Sequence, residues 1–184
     1  MKWTIDKSFD LCYGHRVWSQ TLDREYSLNT CLECRHLHGH QGRVTVFLEA
    51  SNLNMGMVTD FKHLEWFKLW LDSVVDHKFI IDRNDPLFFD LMSHYCDKNG
   101  DMDQSGFTYH EGGYWTPRLE LLPKTDDALR EKYEGMVVVD FVPTSEMLAA
   151  WFFGVVEKKM QKLNIEVKAI EFWETPKSHC RVEK

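Results

Sequence analysis

The sequence predicts an α+β fold in which an antiparallel four-stranded sheet carries two helices on one face. Two observations predict it: alternating, β-branched segments lie near both ends of the chain, and two capped amphipathic segments lie between them. The 184 residues, 43% of them hydrophobic, are enough for a substantial core. We therefore expect a single domain over residues 1–184.

Four segments carry the expected strands. Residues 3–9 alternate loosely, whereas residues 42–50, which continue from His40, alternate clearly and are rich in β-branched side chains. Residues 165–174 predict a third strand, and the residues after a turn at 176–178 can pair back as a short fourth strand. Such a sheet has open edges, which copies of the chain would remove by closing an oligomeric β-barrel.

Two helices are predicted by capping residues in front of apolar stripes. Asp60 caps a helix that we expect to end near Val75. Thr144 or Ser145 caps the second helix, and Glu146 favours its positive end.

The stretch at about 90–136 differs from the rest of the chain because it shows little periodicity. A loop this long inside a compact domain is usually functional, forms an interface or is partly disordered. We therefore expect an irregular insertion there.

Composition and charge limit the classes of function. The net charge of −7 argues against a nucleic-acid partner, although it allows a small anionic ligand. No apolar run of about 18 residues occurs, and the N-terminal residues lack the apolar core of a signal peptide, so no membrane partner is expected. The five cysteines are odd in number and dispersed, which is typical of reduced thiols and favours a cytoplasmic location.

The strongest functional signal is a pair of histidines separated by one glycine. In an extended segment His38 and His40 project to the same side, and His15 is the best candidate for a third ligand. Three neutral imidazoles leave the fourth position of Zn²⁺ open, which is the catalytic form of a zinc site. Cys34 lies four residues before His38, where a metal and imidazoles would favour its thiolate as a base or nucleophile.

Two further groups suit proton transfer and ligand binding. Asp76 and His77 follow the first helix, and a carboxylate beside an imidazole can orient it for acid–base work near pH 7. Glu174 ends the third predicted strand, where a carboxylate could accept paired N–H bonds from a heterocycle.

Each of these features also has a simpler interpretation. His38 and His40 could be an ordinary polar strand end, Asp76-His77 a helix C-terminal pair, and Glu174 a solvated strand end. Cys31 and Cys34 could form half of a structural zinc knuckle. We favour the catalytic interpretation for two reasons. A knuckle would take His38 as a ligand or leave His40 outside the site, and no second cysteine pair follows in the sequence.

Taken together, the motifs resemble a known family. The segment Cys34-Arg35-His36-Leu37-His38-Gly39-His40 resembles the Cys-x-x-x-His-Gly-His motif of the 6-pyruvoyl-tetrahydropterin synthase superfamily. Its cysteine spacing resembles the QueD branch, 6-carboxy-tetrahydropterin synthase of queuosine biosynthesis; the pyruvoyl synthases place their cysteine where this chain has Leu32. The other matching motifs, in chain order, are Gly56–Phe61 with Leu64, Asp76-His77, Pro143–Glu146 and Glu174-Thr175.

The resemblance covers roughly residues 1–89 and 137–176, with two departures. Leu11-Cys12-Tyr13-Gly14 stands where the family has small residues before the first histidine, and residues 90–136 replace a shorter link. The first departure affects the shape of the pocket, and the second affects its entrance.

The resemblance implies a reaction and roles for the site residues. Zn²⁺ would bind 7,8-dihydroneopterin triphosphate, which would be converted to 6-carboxy-tetrahydropterin, acetaldehyde and triphosphate. Cys34 would abstract a side-chain proton, and Asp76-His77 would relay protons on the other side. The implied zinc ligands are His15, His38 and His40, and the implied pterin contacts are Glu174, Thr144, Ser145 and Glu146.

The resemblance also implies the tunnelling fold (T-fold). In that fold three subunits close a barrel and two trimers stack into a homohexamer, with sites between subunits. Three alternatives stay open: a triphosphate-eliminating 6-pyruvoyl-tetrahydropterin synthase with the same ligands, a zinc hydrolase in which Cys34 is incidental, and a zinc-stabilised binding module built on Cys31 and Cys34.

Overall fold

The computed structural model describes all 184 residues. The eight strands are β1 (Trp3–His15), β2 (His38–Ala50), β3 (Lys78–Asp82), β4 (Phe107–His110), β5 (Tyr114–Pro117), β6 (Met136–Val139), β7 (Glu166–Thr175) and β8 (Ser178–Glu183). The four α-helices are α1 (Glu65–Val74), α2 (Phe88–Met92), α3 (Asp127–Glu134) and α4 (Ser145–Met160). The α+β class is therefore confirmed.

The four predicted strands are present as neighbours. The order of strands by hydrogen bonding is β4-β5-β6-β3-β1-β2-β7-β8, so β1, β2, β7 and β8 are adjacent. The pairs β2/β7 and β7/β8 are antiparallel, as expected. The expected count of four strands is wrong, because four more strands extend the sheet beside β1. The sheet is mixed, since β3 and β6 run parallel.

The additional strands were not predicted because each is only four or five residues long. A period of two is hardly visible over so few positions. In β3 and β6 the central residues are also buried on both faces, so the two strands are continuous apolar runs without alternation.

The chain divides into two compact units, each assembled from separate stretches. Unit 1 contains residues 1–13, 40–77 and 144–184, and unit 2 contains residues 14–39 and 78–143. Each unit has its own buried apolar residues.

The core of unit 1 is built from aromatic rings of two helices and two strands. Phe67 of α1 packs edge-on against Phe9 of β1, with ring centroids 5.4 Å apart. Phe152 of α4 lies 6.3 Å from Phe67 and 5.5 Å from Phe172 of β7. Both predicted helices therefore pack against the strands through one shared aromatic cluster.

The caps of these helices follow the prediction with one change. Asp60 accepts a hydrogen bond from the Lys62 amide and caps a short 3₁₀ turn, Phe61–Leu64, which leads into α1. Thr144, and not Ser145, caps α4 by accepting from the Met147 amide at 3.3 Å. Glu146 lies in the first turn of α4.

Unit 2 contains the whole segment that we expected to be irregular, and that expectation is wrong. Residues 90–136 hold β4, β5 and α3 together with short 3₁₀ turns. Tyr95, Phe107 and the fully buried Tyr133 of this segment belong to an apolar cluster that also includes Ile81 and Val138. The pattern was not visible because β4 and β5 have four residues each and α3 has eight.

Two expectations about the chain as a whole can be compared directly with the structure. All five cysteines are free thiols. No helix combines the length and the apolar character that crossing a membrane would require.

Replacing Phe152 with alanine tests the aromatic cluster of unit 1. Phe152 is fully buried, so Phe152→Ala leaves a cavity and is expected to lower the free energy of unfolding by about 3–5 kcal/mol. Urea denaturation measures the difference. Leu69→Ala on the exposed side of α1 is the control and is expected to change stability by less than about 0.5 kcal/mol. Equal effects of the two substitutions would contradict this description of the core.

Candidate metal centre and proton-transfer cluster

Two of the predicted metal ligands hold the same tautomer. Nδ1 of His15 lies 2.6 Å from the carbonyl oxygen of Pro143, and Nδ1 of His38 lies 2.8 Å from the carbonyl oxygen of His36. A carbonyl only accepts hydrogen bonds, so Nδ1 carries the proton in both rings and Nε2 carries the lone pair. The two Nε2 atoms are 3.1 Å apart. Two lone pairs at this distance repel each other unless they share a cation.

His40 completes the predicted group. Each of His15, His38 and His40 offers a ring nitrogen, and these atoms lie within 4.8 Å of one another. His15 is fully buried, and the other two are partly buried. Three neutral imidazoles that converge in this way could hold a metal ion.

Glu174 lies next to this group on β7. Its Oε1 is 3.6 Å from Nε2 of His40 and accepts a hydrogen bond from the Tyr13 hydroxyl at 3.5 Å. Burial, and then the charge of Glu174, raises the pKa of Tyr13 far above its ordinary value, so the hydroxyl stays a donor near neutral pH. Glu174 is thus a partly buried, oriented carboxylate and not a solvated strand end.

Asp76 and His77 form a hydrogen-bonded pair that is anchored to β1. Oδ1 of Asp76 accepts from the backbone amide of Cys12 at 2.6 Å, and Oδ2 lies 3.0 Å from Nδ1 of His77. The backbone amide of His77 donates to the Cys12 carbonyl at 2.7 Å. Burial alone would raise the pKa of Asp76, but the Cys12 amide and His77 outweigh it and hold that pKa below the ordinary value.

Cys12 lies beside the Asp76–His77 pair, and the sequence did not reveal this neighbour. Its sulfur, a carboxylate oxygen of Asp76 and a ring nitrogen of His77 lie within 4.8 Å of one another. The signal that could have found it is the departure from small residues before His15. That signal could not place Cys12 beside Asp76 and His77, because this contact depends on where the chain after α1 meets β1.

The two groups lie on opposite faces of β1. Successive side chains of a strand point to opposite faces. Tyr13 is buried beside Glu174 and His40, whereas its neighbour Cys12 is exposed beside Asp76 and His77. Within one chain, the Asp76–His77 pair therefore faces away from Glu174.

Gly14 also belongs to the segment before His15 in which this chain departs from the family pattern. A Cβ atom at position 14 would lie 2.6 Å from Cδ2 of Phe79, which is closer than real Cβ contacts allow. The Phe79 ring therefore occupies the space that a small side chain would take at this position.

Cys34 lies in a 3₁₀ turn, Glu33–Arg35, that is tied to the preceding loop. Its backbone amide donates to the Gln20 side chain at 3.0 Å, and its carbonyl accepts from the Val17 amide at 2.6 Å. The Cys34 side chain is partly buried, whereas Cys31 is exposed. The histidine group that could hold a metal includes neither cysteine.

A buried ion pair holds the same loop in place. The Arg16 guanidinium lies 2.8 Å from Oδ1 of Asp85, and both side chains are nearly inaccessible. Nε of Arg16 also donates to the Arg35 carbonyl at 2.9 Å. The cation that follows His15 in sequence therefore fixes the turn that carries Cys34.

The start of α4 is connected to the metal group through the chain. Pro143, whose carbonyl receives the Nδ1–H of His15, directly precedes the capping residue Thr144. Ser145 and Glu146 follow in the first turn. The predicted role of this segment as a helix cap is confirmed, and its second role, as an acceptor for His15, was not predicted.

Comparison with known proteins gives the family. A model of the family described as 6-pyruvoyl tetrahydropterin synthase matches residues 4–184. The chain belongs to this family.

Individual members of the family agree with this result. An Aquifex aeolicus protein named 6-carboxy-5,6,7,8-tetrahydropterin synthase is 31% identical, over 100% of this chain and 99% of the relative. The crystal structure of an uncharacterized Wolinella succinogenes protein is 48% identical, with a TM-score of 0.94 and coverage of 100% and 99%. A Caenorhabditis elegans 6-pyruvoyl tetrahydropterin synthase structure, 20% identical, has a TM-score of 0.56 with coverage of 100% and 96% and supports the fold alone. The resemblance to the QueD branch is confirmed.

Metal analysis of two histidine variants tests the metal centre of this family member. The wild-type protein is expected to retain about one Zn²⁺ per chain after dialysis, and His38→Ala is expected to lose it, because two imidazoles bind less tightly than three. His36→Ala is the matched control, because only the backbone carbonyl of His36 contacts the group. Elemental mass spectrometry gives the stoichiometry. Equal retention by both variants would contradict the assignment.

Asp76→Asn tests the anchoring of the second group. Because the folded state lowers the pKa of Asp76, its carboxylate stabilises the protein above the unfolded pKa, and this contribution is lost as the pH falls through the folded pKa. At pH 7 the substitution is expected to lower the free energy of unfolding by about 1–2 kcal/mol. Urea denaturation at pH 7 and near pH 3 should show the difference shrinking in acid. A difference independent of pH would contradict the role of the charge.

Proposed function

We propose that this protein is a zinc-dependent carbon–carbon lyase that converts 7,8-dihydroneopterin triphosphate to 6-carboxy-5,6,7,8-tetrahydropterin, acetaldehyde and triphosphate. The observation that carries the proposal is the pair of imidazoles of His15, fully buried, and His38, partly buried, whose Nε2 atoms lie 3.1 Å apart while each Nδ1 faces a backbone carbonyl. The 31% identical Aquifex relative with this product in its name supports the choice of reaction.

The donor set fits Zn²⁺. Nε2 of His15, Nε2 of His38 and a ring nitrogen of His40 would bind the ion, and the carbonyl groups behind the first two rings would keep them in the metal-binding tautomer. When bound, zinc would supply Lewis-acid chemistry by acidifying the hydroxyl groups of the substrate side chain.

Glu174 would anchor the pterin ring. Its carboxylate can accept two N–H bonds from the guanidine-like edge of the heterocycle. The Tyr13 hydroxyl orients this carboxylate, and the nearby His40 places it beside the metal group. Backbone amides of Thr144, Ser145 and Glu146 would add contacts to the ring at the start of α4.

Cys34 would remove a proton from the substrate side chain. The turn that carries it is held by Arg16, which pairs with Asp85 and donates to the Arg35 carbonyl, and by the Gln20 side chain. The spacing of four residues before the first motif histidine favours the carboxy product over the pyruvoyl product.

His77 would relay protons on the other side of the substrate. Its Nδ1–H is held by Asp76, so Nε2 is the basic atom that can exchange a proton. Because this pair and the Glu174 side lie on opposite faces of β1, one copy cannot present both to the same ligand. We therefore propose that His77 serves the site of another copy in a homohexamer, a dimer of trimers that closes the β-barrel.

The cellular setting follows from the reaction. The carboxy-tetrahydropterin product fits a place in queuosine and related 7-deazaguanine biosynthesis. Five free thiols fit a reducing, cytoplasmic setting for this pathway.

A 6-pyruvoyl-tetrahydropterin synthase is the second candidate, because the matching family model carries that description. Mass spectrometry of products distinguishes the two after zinc-loaded protein is incubated with 7,8-dihydroneopterin triphosphate. We expect 6-carboxy-tetrahydropterin and acetaldehyde. A 6-pyruvoyl product would reject the proposal in favour of the second candidate.

Two cysteine variants test the role of Cys34. Cys34→Ala is expected to keep zinc and the fold but to lose turnover by at least about 100-fold, since a positioned base contributes that much. Cys31→Ala, at an exposed thiol of the same loop, is expected to be nearly silent. Turnover and zinc content are measured together. Loss of zinc in both variants would favour the knuckle, and full turnover of Cys34→Ala would favour a zinc hydrolase.

A further inference from the structure

A thiol, an imidazole and a carboxylate meet on the exposed face of β1. The sulfur of Cys12 lies within 4.8 Å of a ring nitrogen of His77 and of a carboxylate oxygen of Asp76. We propose that Cys12 is a second reactive thiol of this chain, activated by His77, and that it takes soft carbon electrophiles such as aldehydes.

The roles of the three groups follow from their hydrogen bonds. Asp76 holds Nδ1 of His77 and so orients the ring, and one nitrogen of that ring lies within 4.8 Å of the Cys12 sulfur. An imidazole beside a thiol can take its proton. This is the order of nucleophile, base and orienting carboxylate that activates catalytic thiols. Both oxygens of Asp76 already accept hydrogen bonds, which favours an orienting role for Asp76 over a role as a third metal ligand.

The backbone keeps the three groups together. The Cys12 amide donates to Asp76, and the His77 amide donates to the Cys12 carbonyl, so backbone hydrogen bonds hold these three residues side by side. His77 has a φ of +58°, in the left-handed region that non-glycine residues rarely adopt. The amide of this strained residue donates to the Cys12 carbonyl, which anchors it to β1.

Besides the thiol, the imidazole and the electrophile, the reaction needs no further reagent. The thiol proton moves to His77, and sulfur forms a bond to the electrophilic carbon. With an aldehyde, the carbonyl oxygen takes the π electron pair and the proton from His77, which gives a hemithioacetal. With iodoacetamide, the carbon–iodine bond breaks, iodide leaves with the electron pair, and a stable thioether remains. The side chain of His77 is 78% exposed, so small molecules reach the group.

The test is the rate of alkylation of each cysteine in the zinc-loaded protein. Iodoacetamide is added at pH 7, and peptide mass spectrometry follows the occupancy of each thiol with time. An ordinary thiol with a pKa of about 8.5 is only about 3% ionised at this pH, so activation can raise its rate by up to about 30-fold. We expect Cys12 to react at least about fivefold faster than Cys31, the exposed control in the same molecule.

Two further measurements assign the rate to the proposed group. His77→Gln, at a mostly exposed side chain whose loss leaves the core intact, should reduce the Cys12 rate to that of Cys31. Acetaldehyde added beforehand should slow alkylation of Cys12 and leave Cys31 unaffected. A Cys12 rate equal to that of Cys31, or one unchanged by His77→Gln, would overturn the proposal. No substrate is present, so the result does not depend on the proposed lyase activity.

Discussion

The hydrogen bond from Nδ1 of His15 to the Pro143 carbonyl decides what the site can bind. It is 2.6 Å long and buried, and it fixes the proton on one nitrogen so that the other presents a lone pair. A similar bond from His38 to the carbonyl of His36 brings a second lone pair to within 3.1 Å of the first. Both acceptors are backbone carbonyls, which cannot change their protonation state. Backbone atoms therefore fix the tautomer in which both rings could bind a metal.

The two faces of β1 carry different chemical groups. Its buried face carries Tyr13, which orients Glu174, and its exposed face carries Cys12 beside His77. Such a division is possible because side chains alternate along a strand, while the backbone amides remain available for contacts at its end. The residues in which this chain departs from the family's small side chains are the ones that make these contacts.

Sequence reasoning succeeded where elements are long or motifs are local. The strand β2 alternates clearly, the first half of β1 alternates loosely, and α4 is marked by its cap at Thr144. The alternation of side chains placed His38 and His40 on one side. It failed for β4, β5 and α3, which are too short to show a period. Contacts that join distant parts of the chain were also invisible. The bond between Cys12 and Asp76 spans 64 residues, and that between His15 and Pro143 spans 128.

The left-handed backbone of His77 sets a limit on how far this protein can be made more heat-resistant. A non-glycine residue in that conformation costs roughly 1–2 kcal/mol, which glycine would avoid. Engineering that selects only for a higher melting temperature would therefore favour glycine at position 77. That exchange would relax the chain after α1 and remove the imidazole at the same time. A variant that keeps the imidazole at position 77 therefore also keeps the strained left-handed backbone there.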